Sequence, residues 1–306
     1  MARRTNGNGR RAPVRMRVQK RRPAAQRGTA RGSLIIIGGR EEKEGKALIL
    51  RAVAERSQGG KLVVATLASQ EPQAMFEDYH RAFSALGVKQ IEHLDVPSRE
   101  SVLRDPPLDL LESASVIFFT GGGQLRITTQ FGGTELCEQI QEFYNNGGTI
   151  AGTSAGASVM SDTMLVSGEG EASHRVGSKL LMAPGLGYLR DVIIDQHFAE
   201  RGRIGRLLGA VAQNPRLLGL GLDENTAIIV EQEKEFRVLG AGAVYIVDGR
   251  DMTCTNLTEE DEERTASIFN VRLHLLSQGD QFNLLTRTPV KRSAESIEKD
   301  LCPAPN

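Results

Sequence analysis

The sequence predicts an α/β fold: a mostly parallel central sheet, helices on both faces, and a C-terminal antiparallel extension. Three features predict it. Short apolar runs such as Leu34-Ile35-Ile36-Ile37 and Val116-Ile117-Phe118-Phe119 recur along the chain, as strands buried on both faces require. Amphipathic helical segments separate them, which is the alternation of a parallel sheet. After about residue 215 the helices give way to closely spaced short strands, the pattern of antiparallel neighbours.

The folded part opens at Ser33, with a strand to Ile37 and a tight turn at Gly38-Gly39. Glu41 to Gln58 reads as a helix with Leu50, Val53 and Ala54 on one face. Lys61 to Leu67 is the second strand. Pro72 to Leu86 is a helix, with Met75, Tyr79 and Phe83 spaced by four and Gly87 closing it. Val88 to Val96 and Ser115 to Thr120 are the third and fourth strands, the latter running into Gly121-Gly122-Gly123-Gln124. Thr134 caps a helix to Asn146, and Gly147-Gly148 ends it before a strand from Thr149 to Thr153. A further apolar strand, Val192 to His197, ends in a histidine. Leu217–Leu222, Ala227–Glu231, Phe236–Leu239 and Val244–Val247 are short strands predicted to extend the same sheet. Right-handed crossovers bring parallel strand C-termini to one edge, where ligands bind. Gly38-Gly39, Gly121 to Gly123 and Ser154 all stand at such ends, so they are predicted to meet.

This reading gives one domain over residues 33–290, between terminal segments 1–32 and 291–306. The net charge of zero hides an asymmetry. Residues 1–31 hold ten Arg, one Lys and no acid; removing those 11 cations leaves 27 basic against 38 acidic residues, a net of about −11. The basic segment has too little apolar surface to bury and is predicted to be disordered. It lacks the apolar core of a secretory signal. Three readings stay open for it: an organelle-targeting segment, an arm for nucleic acid or another polyanion, or a plain solvated stretch at a misplaced start. Three cysteines, Cys137, Cys254 and Cys302, form no C-x-x-C pair. They argue against a disulfide framework or a zinc site and suit a reducing, cytoplasmic compartment. No apolar run approaches the roughly 18 residues of a membrane span, so no membrane partner is expected. No cofactor or metal is expected either: Gly121-Gly122-Gly123 has no following Gly-Lys-Ser/Thr, which disfavours a phosphate loop.

Gly152-Thr153-Ser154-Ala155-Gly156 follows an apolar strand and opens a helix. That is the pattern of a nucleophile elbow, in which a sharp turn pushes a serine hydroxyl into solvent. Serine chemistry also needs a base, an acid to orient it, and two oxyanion donors. His80, His93 and His274 fall within elements and read as structural, and His174 lies in a polar loop. His197, at a strand end on the edge assigned to Ser154, is the best base. Glu224, beyond another strand end in Gly221-Leu222-Asp223-Glu224-Asn225-Thr226, is the favoured acid, and Glu171, beside Glu169, is its rival. The Ala155 amide and one from Gly122 or Gly123 are the oxyanion candidates. Arg201, Arg203 and Arg206 follow the base closely. Arginine forks bind carboxylates through paired hydrogen bonds, so the cluster suggests an acidic substrate. Asp195 and Glu200 could instead hold a cationic group, and a solvated helix start is the bland alternative.

Taken together, these blocks resemble the cyanophycinases, serine peptidases related to the aspartyl dipeptidase called peptidase E. The resemblance covers roughly Ser33 to Arg287. It rests on Ile37-Gly38-Gly39 with Glu41 and Lys43, Phe119-Thr120-Gly121-Gly122-Gly123-Gln124-Leu125-Arg126-Ile127-Thr128, Gly152 to Ala157, Asp195-Gln196-His197-Phe198 with Arg201, Arg203 and Arg206, and Gly221 to Ala227. Gly122-Gly123 before Gln124 departs slightly from the pattern, and the basic N-terminal segment lies outside it. The resemblance implies a fold like that of the class I glutamine amidotransferases (flavodoxin-like), a homodimer, and no metal. It implies release of β-Asp-Arg dipeptides from an end of cyanophycin, a poly-aspartate carrying arginine on each β-carboxyl. By the family pattern Ser154 is the nucleophile, and Gln124, Gln196, Arg201, Arg203 and Arg206 are substrate-site residues, with Asp195 beside them. Three alternatives stand beside this one. An aspartyl dipeptidase would share the elbow, a glutamine amidotransferase would need cysteine at position 154, and a non-catalytic granule- or polyanion-binding protein would use residues 1–31.

Overall fold

The computed structural model describes residues 31–57, 59–167, 180–257 and 264–290. The expectations for residues 1–30 and 291–306, for Glu169, Glu171 and His174, and for Cys302 lie outside the described residues. Arg31 and Gly32, assigned above to the basic segment, are tied to the fold. Arg31 pairs with Glu233, and the Gly32 N–H donates to the Tyr144 carbonyl at 2.8 Å.

Strands and helices alternate through the first half: β1 (Ser33–Ile37), α1 (Leu48–Arg56), β2 (Lys61–Ala65), α2 (Pro72–Ala85), β3 (Ile91–Leu94), α3 (Arg99–Arg104), β4 (Ala114–Phe119), α4 (Gln124–Phe131), α5 (Glu135–Asn145) and β5 (Thr149–Thr153). There follow α6 (Ala155–Ser158), the antiparallel pair β6 (Thr163–Ser167) and β7 (Leu181–Pro184), β8 (Val192–Gln196), α7 (Ile204–Gln213) and β9 (Leu218–Leu222). The remainder is strand: β10 (Thr226–Glu231), β11 (Glu235–Gly240), β12 (Val244–Asp248), the short pair β13 (Cys254–Thr255) and β14 (Ile268–Phe269), β15 (Arg272–Leu276), β16 (Gln281–Asn283) and β17 (Thr288–Pro289).

Among the described residues the central sheet has nine strands in the order β17-β16-β11-β10-β1-β5-β4-β2-β3. From β1 to β3 all neighbours are parallel; from β1 to β17 all are antiparallel. The antiparallel extension therefore exists, but it is not one sheet. β9 and β12 leave it and join β8 and β15 in a second sheet, ordered β15-β12-β9-β8. The alternating Leu218-Gly219-Leu220-Gly221-Leu222 of β9 explains this. A Cβ on Gly221 would stand 2.6 Å from the Phe198 ring, and one on Gly219 about 3 Å from Val211 and Leu207. The glycine face thus receives α7 and Phe198 closely, while the leucine face joins the main core.

Period-two alternation splits the core across the central sheet. Ile35, Ile37, Val64 and Phe118 face α1 and α2; Leu34, Ile36, Val63 and Phe119 face α4, α5, α6 and the second sheet. The first helix starts at Leu48 rather than Glu41. Gly45 (φ 67°) and Ala47 (φ 40°) turn left-handed there, and the Glu41 side chain points into the fold.

Phe118 is fully buried, 4.8 Å from the Tyr79 ring and 5.4 Å from Phe83 between centroids. Phe118→Ala is expected to cost about 3–5 kcal/mol and to lower the thermal midpoint by roughly 10 °C, checked by circular-dichroism melting.

Candidate active site

The C-terminal end of β1 organises the site. The Ile37 carbonyl accepts from the Ser154 N–H at 3.0 Å, the Gly38 carbonyl from the His197 N–H at 2.8 Å, and the Gly39 carbonyl from the Asn225 N–H at 2.8 Å. Three segments far apart in sequence thus dock on three consecutive carbonyls. Glycine is required at both turn positions. A Cβ on Gly38 would lie 2.0 Å from the Asp223 carbonyl oxygen. One on Gly39 (φ 111°) would lie 2.3–3.0 Å from the His197 ring.

Ser154 sits between β5 and α6 with φ 53° and ψ −112°, a conformation L-residues seldom adopt. Gly152 and Gly156 permit it: a Cβ on either would meet backbone oxygen at 2.5 or 2.2 Å. The Ser154 Oγ lies 3.0 Å from His197 Nε2, and His197 Nδ1 lies 2.6 Å from Glu224 Oε1. An Nδ1–H donated to the carboxylate leaves Nε2 free to accept from the serine. His197 is itself left-handed (φ 48°), as is Asn225 (φ 48°). Burial pushes the His197 imidazole below its ordinary value; the hydrogen bond to Glu224 opposes this, and the Arg201 cation adds to the depression. Ser154 follows β5 of the central sheet and His197 follows β8 of the second sheet, so the two do not lie along one sheet edge as predicted.

The remaining candidates divide by position. Gly123 does not serve as a donor to the site, because its N–H is committed to the Ala68 carbonyl at 3.0 Å. Gly122 (φ 139°) and Ala155 have no such commitment among the described residues. Gln196 Oε1 lies 3.5 Å from the Ser154 Oγ. Gln124 Nε2 donates to the Leu165 carbonyl at 3.2 Å, tying α4 to β6. Arg203 and Arg206 are only 3% and 2% exposed and both hold Asp195, itself 1% exposed. Arg206 Nε meets Asp195 Oδ2 at 2.7 Å, and Arg203 also donates to the Gln196 carbonyl. Arg203 and Arg206 are therefore not part of a solvated helix start; these two arginines lie beneath the site. Arg201 is exposed. His80, His93 and His274 lie on α2, β3 and β15, as expected.

Asp223 and Arg40 escaped sequence reasoning, and Glu200, read there as a possible partner of a cationic group, instead meets the loop of Glu224. Asp223 accepts from the Ala199 N–H at 2.9 Å and the Ala243 N–H at 3.0 Å, joining the loops that carry His197 and Glu224. Glu200 accepts from the Glu224 N–H at 3.1 Å, and exposed Arg40 lies 3.4 Å from Glu224 Oε2. The acidic doublet Asp223-Glu224 at a strand end was the available signal.

A family model described as Peptidase family S51 matches residues 34–238. The chain belongs to that family. The chain is similar to the cyanophycinase of Synechococcus elongatus, 39% identical over 84% of this chain and 80% of its own length. The cyanophycinase of Trichormus variabilis is 40% identical over 84% and 87%. That of Geminocystis herdmanii is 37% identical over 85% and 96%. Among solved structures, a peptidase from an acI-B1 Actinobacterium superposes with a TM-score of 0.61 at 21% identity, covering 83% of this chain and 97% of its own. That likeness shows a shared fold. The family is of serine-type peptidases, and this chain is one of them.

Because Asp195 is held by both buried arginines, Arg203 and Arg206, Asp195→Asn is expected to destabilise the protein by about 3–5 kcal/mol. A denaturant titration measures it, with unchanged stability as the contrary result.

Proposed function

We propose that this chain degrades cyanophycin from a chain end, releasing β-Asp-Arg dipeptides through an acyl-enzyme. The continuous Ser154–His197–Glu224 hydrogen-bonded array carries this reading. Ser154 stands at a nucleophile elbow and attacks the carbonyl of the terminal unit as His197 Nε2 takes its proton. Glu224 fixes the tautomer and stabilises the imidazolium. The Gly122 and Ala155 amides hold the oxyanion, each worth roughly 10²–10³ in rate. The proton on His197 passes to the leaving amine. Water, activated by the same base, then releases the dipeptide. Gln124, Gln196 and Arg201 face the substrate. Arg203 and Arg206, through Asp195, support the loop that carries Gln196 and His197. The fold belongs with that of the class I glutamine amidotransferases, although Ser154 replaces their cysteine.

A homodimer belongs to the same reading. β15 is the outer strand of the second sheet, and it turns Leu273 and Leu275 outward at 54% and 64% exposure. Leu275→Asp is expected to yield a monomer by analytical ultracentrifugation.

Incubation with insoluble cyanophycin should yield β-Asp-Arg by mass spectrometry, and Ser154→Ala should lower the rate by about 10⁴–10⁶-fold without unfolding. Cleavage of Asp-X dipeptides with no attack on the polymer would favour the dipeptidase reading. The base must be neutral to act, and its depressed value keeps it neutral further into acid. The acid limb of kcat/KM is therefore expected below the ordinary imidazole value of about 6.5; a limb above it would count against His197.

A further inference from the structure

Glu41 is a buried acid that the mechanism above does not use. Its residue is 5% exposed. Oε1 accepts from the Tyr79 hydroxyl at 2.5 Å, and Oε2 accepts from the Thr153 hydroxyl at 2.6 Å. Both are the short lengths of charge-assisted bonds. Thr153 is the residue before Ser154. Glu41 lies two residues beyond Gly39, on the same connection whose carbonyls dock the serine, histidine and Asn225 backbones. The other side is braced as well. Lys43 stands 4.2 Å above the Tyr79 ring and pairs with Asp78, and the Glu42 N–H donates to Asn225 Oδ1 at 3.0 Å.

Burying a carboxylate is costly unless its oxygens are satisfied. Here the cost is met by two hydroxyls that join separate elements, α2 and β5. Backbone bonds pin Ser154 (φ 53°) on both sides: its N–H to the Ile37 carbonyl, and its carbonyl to the Ala157 and Ser158 N–H groups, each at 3.0 Å. The Thr153 side-chain bond adds a side-chain anchor on the strand side of that turn.

We propose that Glu41 is a positioning residue: its carboxylate locks Thr153, and through it the strained Ser154 backbone, onto the β1 platform that also carries His197. The inference rests on Ser154 being the nucleophile. It predicts an effect on the reactivity of that serine with little effect on substrate affinity.

The experiment compares Glu41→Gln, Thr153→Val, Thr153→Ser and the Glu41→Gln/Thr153→Val double variant in the full chain. Two quantities are read. One is steady-state release of β-Asp-Arg from solubilised cyanophycin. The other is the labelling rate of Ser154 by a fluorophosphonate, in which the Oγ–P bond forms, fluoride leaves and the serine proton passes to the base. Glu41→Gln is expected to lower kcat and the labelling rate together by about 10–100-fold with KM changed less than about threefold. Thr153→Val should reproduce the loss and Thr153→Ser recover most of it. The double variant should lose no more than the worse single variant, the signature of one shared path. Wild-type labelling and kcat in folded Glu41→Gln overturn the proposal, as do losses that multiply in the double variant. If Glu41→Gln does not fold, the Thr153 pair decides: equal rates for Val and Ser overturn it. Ser154→Ala separates the two levels. Retained turnover there sinks the serine assignment itself, whereas a dead Ser154→Ala beside a wild-type Glu41→Gln sinks the role of Glu41 alone.

Discussion

Three consecutive carbonyls at the end of β1 are the constraint on which the site depends. Each accepts the backbone N–H of a different segment, those of Ser154, His197 and Asn225. A β-strand normally sends its carbonyls alternately to left and right, and β1 has partners on both sides, β5 and β10. Past Ile37 the ladder should end. Instead the chain turns through Gly38 and Gly39 and keeps offering acceptors to whatever stands nearby. Ser154, His197 and the loop of Glu224 are thus placed relative to one short peptide, not relative to one another. Preorganisation of this kind lowers the entropy cost of assembling reacting groups.

The arrangement stores strain. Ser154, His197 and Asn225 all have positive φ without being glycine, each costing on the order of 1–3 kcal/mol. The surroundings hold them there. β1 is buried along its whole length, β5 likewise, and the second sheet packs its leucine face against the same core. A rigid platform is what permits turns that a loop on its own would relax.

Much of this was legible in the sequence. Continuous apolar strands gave away the parallel core, and β5 begins and ends at the predicted residues. Ser154 and His197 were recognisable because strand-end position is visible as an apolar run followed by small or polar residues. Three things were not legible. Sheet membership escaped because β9 and β12 look like any short strand; only the contact of Gly219 and Gly221 with α7 and Phe198 sends β9 elsewhere. The start of α1 escaped because Glu41 to Ala47 has helix-like composition, while the tertiary pull on Glu41 overrides propensity. The fate of Arg203 and Arg206 escaped because sequence shows charge and not depth. Three arginines near a base look like a ligand site, yet two are buried on Asp195.

That difference in depth has a chemical consequence. Arg203 and Arg206 share one carboxylate, and His197 is depressed by burial and, after it, by the Arg201 and Arg203 cations, so Arg203 acts at the site through its charge as well as through geometry. Arg203 reaches the Gln196 carbonyl directly, so this geometry is transmitted to the residue before His197. Direct contact with an incoming molecule needs cations with solvent-exposed heads. Arg40 beside Glu224, Arg126 in the first turn of α4 and Arg201 after the base are all exposed. A substrate unit bearing both a carboxylate and a guanidinium would meet those arginines alongside the acids Glu200 and Glu224. Recognition of such a zwitterion needs both signs within one short span at the surface. On the proposed function the labour divides: the buried charges brace the loop of Gln196 and His197, and the exposed ones are those an incoming substrate would meet.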